Sequence, residues 1–319
     1  MALHRATVVI VLFALASFTA PAGAGEAIPE ARVEATIPQP GHVMATGFES
    51  VWIMNLATNK LIRINTGDNS TIAIPIPGAV GPFINAGLVV GEGAVWLADH
   101  GRSIIYKIDP QSNQIAKEIP ADLLGNTGGV APRAWDEFAV GAGAVWAIGG
   151  NNRLRRYSAE SGLQEAVVPL PSHSSGVIVA FGSVWITGTA NDELYRVDPT
   201  TNQIASTIDL RSDPRSLAAG QESVWICNEG DGTVQRIDSK SGELVATIEA
   251  GAVGHCDITV GGGFVWVSTN QKPIVQIDPR TNSVRGQFRL QMYEISTIRF
   301  GNGSLWISGE SVRRISPPK

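Results

Sequence analysis

The segment richest in chemical groups is Gly254-His255-Cys256-Asp257. If it opens a β-strand, His255 and Asp257 project to the same side, where they can share a proton or a metal ion. In that arrangement His255 is the catalytic base and Asp257 orients it. Metal ligation takes three or more converging groups, and no second His/Asp pair of this spacing occurs in the chain. Further ligands would have to come from distant segments, such as His42, Glu229 or Glu294. Scattered oxygens suit a hard cation, Mg²⁺ or Ca²⁺, better than zinc. Cys256 has one possible partner, Cys227. In an oxidising compartment the pair is expected to form a disulfide, worth about 3–4 kcal/mol on the chain-entropy account. The alternative is two buried free thiols.

These groups need a frame, and a short repeated mark supplies it. A few small residues precede Val-Trp at Val51-Trp52, Val95-Trp96, Val145-Trp146, Val184-Trp185, Val224-Trp225 and Val265-Trp266, with a variant at Leu305-Trp306. Successive tryptophans lie 44, 50, 39, 40, 41 and 40 residues apart, and only Trp135 stands outside the series. A period near forty in β-rich sequence marks four-stranded blades. The expected fold is therefore all-β, a seven-bladed β-propeller forming one domain over residues 25–319.

Blade 4 shows the reading in detail. Val177–Ala180 is strand A, Ser183–Thr187 is strand B with Trp185, Glu193–Val197 is strand C, and Ile204–Ile208 is strand D. Between C and D, Asp198-Pro199-Thr200-Thr201-Asn202 has the residues of a tight turn: Pro fixes φ, while Asp and Asn bond local backbone. The last repeat runs out of chain before a strand D. At the other end, residues 31–38 read like one, so the N-terminal segment is expected to complete the last blade and close the ring, removing the exposed sheet edge there.

This register sorts residues by face. The D-to-A connections and B-to-C loops emerge together at one end of the central channel. They carry His42, Asp136, Glu137, His173, Arg215, His255, Asp257 and Glu294, and then Asp99, His100, Asn228 and Glu229. All four histidines beyond residue 24 fall on this one face. Two long insertions, 76–87 and 120–136, join it, and the second holds Trp135 as a possible stacking wall for a ligand. Loops on a rigid scaffold are where binding groups concentrate. The plainer alternative is polar residues solvating a water-filled channel mouth. Arg153, Arg155 and Arg156 alternate on a strand C and read as a solvated face.

Composition narrows the class. Met1–Arg5, the apolar run Ala6–Ala20 and Ala22-Gly23-Ala24 form a secretory leader over residues 1–24, so the mature chain is expected in the periplasm or outside the cell. No other stretch is long and apolar enough for a membrane span. Removing the leader takes Arg5 and no acid, leaving 23 basic and 29 acidic residues, a net of −6. An acidic surface argues against a nucleic-acid partner. Nucleophile-elbow, phosphate-loop, haem-attachment and helical zinc-protease motifs are missing.

Repeats such as GQESVWICNEGDGTVQRIDSKSGELVATIEAG resemble the YVTN-type repeats of bacterial exported propellers. They also resemble the virginiamycin B lyase (streptogramin lyase) family of seven-bladed propellers. The second resemblance implies a histidine at the start of a strand A, a setting that His255 matches and His42 matches less closely, with metal-binding acids on neighbouring loops. Two functional readings follow. One is an exported monomeric propeller that binds a small molecule, glycan or protein on the histidine-bearing face. The other is a metal-dependent lyase or hydrolase acting at that face through His255 and Asp257.

Overall fold

The computed structural model describes residues 28–55, 57–78, 86–123, 138–269, 273–292 and 295–317. The expected leader, 1–24, lies outside them. The described residues build seven four-stranded antiparallel sheets and no helix. Each sheet is a simple meander, as in blade 5: Pro214–Gly220, Ser223–Asn228, Thr233–Asp238 and Leu244–Glu249 as strands A to D. The seven A strands contact one another in sequence round a closed ring and line the central channel. The meander puts D-to-A and B-to-C connections on one end, the upper face, and A-to-B and C-to-D turns on the lower face.

Val33–Ile37 pairs antiparallel with Val312–Ile315 as the outermost strand of blade 7, which is the expected closure. The residues before it add a second fastening. Glu30 bridges Arg289 on the outer strand of blade 6, with Ala31 N–H donating to Arg289 O at 2.7 Å and Arg289 N–H to Pro29 O at 2.8 Å. One segment therefore spans two blades.

The seven repeat tryptophans are fully buried. Each indole N–H donates to the carbonyl five residues earlier, at 2.9–3.1 Å, which ties strand B to the end of strand A. In six blades the strand C residue beside the tryptophan is a cation lying 5.0–5.3 Å from an indole centroid. In blade 6 that place is Gln276, and Trp266 packs edge-on against Phe264 instead. These cations reach on to the C-to-D turn of the next blade. Arg236 donates to Pro279 O at 2.6 Å and to Asn282 Oδ1 at 2.8 Å, and Arg63 to Pro110 O and Asn113 Oδ1. Asn113, Asn202 and Asn282 sit at φ of 52–57°, so the turn asparagines serve both the left-handed backbone and the blade junction.

This corrects the reading of the strand C arginines. Arg156 is not a solvated group: it lies over Trp146 and donates to Pro199 and Asn202 of blade 4. Arg155 pairs with Asp122.

A layer near the upper end of the inner strands distinguishes the two sides of the ring. In the six blades where both are described it comprises the residue nine before the tryptophan and the residue two after it. Blades 1 and 2 place Val43 opposite Met54 and Gly87 opposite Ala98. Blade 4 has Gly176 opposite Thr187, blade 6 Asp257 opposite Ser268, and blade 7 Thr297 bonded to Ser308. In blade 5 the place after the tryptophan is Cys227, joined by a disulfide to Cys256 at the start of blade 6, with Cα atoms 6.1 Å apart.

Candidate functional site

The upper face brings some of the expected residues together and keeps others apart. Its best-connected group straddles blades 5 and 6. Strand A of blade 5 carries Arg215, and its strand B ends in Cys227-Asn228, with Glu229 next in the B-to-C loop. Arg215 Nε stands 3.1 Å from Asp213 Oδ1 and 3.5 Å from Glu229 Oε2. Glu229 is 6% exposed, and its Oε1 accepts the Cys256 N–H at 3.0 Å. Glu229 O accepts the Gly254 N–H at 2.9 Å, while Ala250 and Ala252 N–H both bond Gly232 O. The connection that presents His255 is thus held by backbone bonds, by a buried carboxylate and by the disulfide one residue on. His255 itself is buried.

Asn228 is completely buried beside this group. Its amide nitrogen donates to Thr233 Oγ1 at 2.9 Å and to Gln235 Oε1 at 3.1 Å. Gln235 Oε1 also accepts the Arg211 N–H, and Thr233 Oγ1 donates to Asp231. This network orients the amide and leaves Asn228 Oδ1 a buried acceptor with no bond among the described residues. The equivalent position in blade 2 is Asp99, whose Oδ1 accepts the Arg102 N–H at 3.1 Å while Oδ2 is buried with no bond among the described residues. Burial pushes the Asp99 carboxyl above its ordinary value.

Asp257 is bonded through both of its oxygens. Its Oδ1 accepts the Ile258 N–H at 3.0 Å; its Oδ2 accepts the Ile298 N–H at 2.8 Å and a hydrogen bond from Arg299 at 2.6 Å. The carboxylate is therefore a fastener between blades 6 and 7. Arg299 was not singled out from the sequence, yet a signal existed. Counting seven back from each tryptophan gives Ala45, Val89, Ala139, Ile178, Ala218, Thr259 and Arg299, a single charge among small and apolar residues. All of these but Ala139 line a channel cavity of about 280 Å³, together with Leu88, Val90, Val177, Leu217 and Ile258, and Arg299 is the one charged lining residue among the described residues.

The remaining candidates are dispersed. His42 is exposed at the entry to blade 1, and His100 is buried in blade 2. His173 is exposed in blade 4, its Nδ1 3.3 Å from Thr189 Oγ1. Nearby, Tyr195 O–H donates to Glu193 at 2.6 Å and meets Ser172 Oγ at 2.9 Å. Burial, then the Glu193 hydrogen bond, pushes that phenol up to about 12. Trp135, Asp136, Glu137 and Glu294 lie outside the described residues, as do most of both insertions. Among the described residues no three His, Cys, Asp or Glu side chains converge as a metal site, and no helix is long and apolar enough to cross a membrane.

Comparison with known proteins bears on the fold. Neither a family model nor a curated protein sequence matches the chain. Solved structures do. A chain of the mitotic checkpoint complex superposes with a TM-score of 0.71 at 11% identity, covering 99% of this chain and 100% of that one. The WD40 β-propeller domain of Doa1 superposes with a TM-score of 0.69 at 13% identity, covering 90% and 97%. At such identities the likeness is one of architecture: the chain is a seven-bladed β-propeller.

Proposed function

We propose that this chain is an exported, monomeric binding propeller. On this reading it receives a small molecule, glycan or protein group on the upper face, at the boundary of blades 5 and 6. The observation that carries the reading is Arg215. Its Nε lies at ion-pair distance from Asp213 and Glu229, while its two terminal amino groups make no bond among the described residues and the side chain is one-third exposed. A guanidinium oriented from behind presents a planar pair of donors with little ordering left to lose, which favours ligand oxygens set side by side. Around it stand acceptors and donors of neutral character, and the Arg215–Asp213–Glu229 group carries net negative charge, so polar ligands of low negative charge suit it best.

The likeness of the repeats to YVTN-type exported propellers, and the leader at residues 1–24, support export. Binding proteins on WD40 propellers are a precedent for the architecture alone. The metal-assisted lyase draws less support, because both Asp257 oxygens are engaged in joining blades 6 and 7.

The test is a thermal-shift screen of the mature chain against neutral oligosaccharides and polar metabolites. At least one compound should raise the Tm of the wild type and fail to raise that of Arg215→Ala. Compounds that shift both proteins equally would place binding elsewhere.

A further inference from the structure

The lower face carries a feature that the fold does not need. All seven A-to-B turns have two central residues with positive φ, the type I′ geometry whose sterics favour Asn-Gly or Gly-Gly. Blade 7 has Asn302-Gly303 and blade 6 Gly262-Gly263, as that geometry asks. Blade 1 instead has Phe48-Glu49, at φ of 53° and 52°, and blade 4 has Phe181 at 53°. A bulky side chain in the left-handed region is strained. Packing offsets only part of that cost, because the two phenylalanines remain 40% and 45% exposed. Three blades apart, they stand on opposite sides of the lower channel mouth. Glu49 adjoins Phe48, and Glu222 occupies the turn of blade 5, next to Phe181. Both carboxylates are exposed; Lys240, 3.8 Å from Glu222, is as exposed as its partner, so the pair is well screened.

Strain kept at a partly exposed aromatic side chain points to a use for that side chain. We infer that the lower rim is a docking surface for a protein segment that sets apolar side chains against Phe48 and Phe181 and lysine or arginine against Glu49 and Glu222. The carboxylates beside the aromatic rings select a basic protein segment over an anionic lipid surface. This surface lies opposite the face bearing Arg215 and stands or falls independently of that site.

Two measurements test it. Asparagine accepts the left-handed conformation, so Phe48→Asn with Phe181→Asn should raise the Tm by roughly 2–6 °C. A fall in Tm would mean that the phenylalanines hold the fold, and the proposal would be lost. The second measurement uses a fluorescein-labelled peptide of alternating leucine and lysine, followed by anisotropy. Binding should weaken about five-fold or more in the double asparagine variant and in Glu49→Lys/Glu222→Lys. It should be unchanged in Glu118→Lys/Glu249→Lys, which alters charge equally on the outer strands. Equal binding by all four proteins overturns the inference. So would phenylalanine-dependent self-association in sedimentation, or phenylalanine-dependent binding to phosphatidylcholine vesicles.

Discussion

Blades 1 and 2 and blades 4 to 7 solve the same packing problem with opposite chemistry. The glycines nine residues before Trp96 and Trp185 show the contrast at a single position. A Cβ on Gly87 would meet Phe138 Cβ at 2.9 Å, so this glycine makes room for an apolar ring from the next blade. A Cβ on Gly176 would meet Arg215 O at 2.4 Å. There the space admits the Thr187 hydroxyl, which donates to that carbonyl at 2.9 Å and accepts from Gly176 N–H. Apolar contacts between blades are tolerant of small slips, whereas a buried hydroxyl or carboxylate must find its partner or leave a polar group unsatisfied. The polar side of the ring is therefore the more exactly registered one, and it is the side on which Arg215, Glu229 and His255 stand.

If that contrast is right, Asp257→Ala should be the most damaging of the changes considered. It removes the buried carboxylate shared by the Arg299 guanidinium and the Ile298 N–H, and should cost about 3–5 kcal/mol in urea unfolding. Adding Arg299→Met should restore part of the loss. No such rescue is available to Met54→Ala in blade 1, where the damage is a cavity. A double variant that unfolds as readily as Asp257→Ala alone would break the comparison.

Removing the cross-link by Cys227→Ala with Cys256→Ala should cost about 2–4 kcal/mol. Hydrogen exchange should report the loosening in the 250–256 connection first and leave blades 1 and 2 unchanged. Uniform loss of protection would mean that the ring opens as one unit.

The smallest effect concerns pH and separates two kinds of aspartate. Asp99 has a folded-state value raised by burial, so its contribution is fully present below the unfolded value near 3.9 and is lost as pH rises through the folded one. Asp99→Asn should therefore add roughly 0.5–1 kcal/mol at pH 7 and nothing at pH 3. The turn aspartates behave oppositely. Backbone N–H groups hold Asp198 and Asp238 below the ordinary range, and the Arg280 side chain, with its backbone N–H, holds Asp278 down to about 2. Their stabilisation is present above pH 4 and fades towards pH 2. Thermal unfolding of the wild type and Asp99→Asn from pH 2 to 7 checks both signs.

The tryptophan period was enough to read the blade count, the closing strand and the facing of the loops, because a repeat reports its fold many times over. What the period hid was what each position touches. Arg156 looked solvated because it alternates on a strand, but its place beside a tryptophan turns it towards the next blade. Asp257 drew notice by its spacing from His255, while its bonds to Ile298 and Arg299 of blade 7 had no local mark. The meeting of Arg215 with Glu229 depends on two connections folding towards each other. Only the register, and no local pattern, could suggest it.

The fastening of residues 29–37 across blades 6 and 7 also orders events in time. Its partners, Arg289 and Val312–Ile315, lie at the far end of the chain. Residues 29–37 can find their place only after these much later partners have been made. Such a sequence-distant pairing carries a large loop-closure entropy, which makes it a natural late and slow step in folding. Until it is taken, blades 6 and 7 keep an open outer edge.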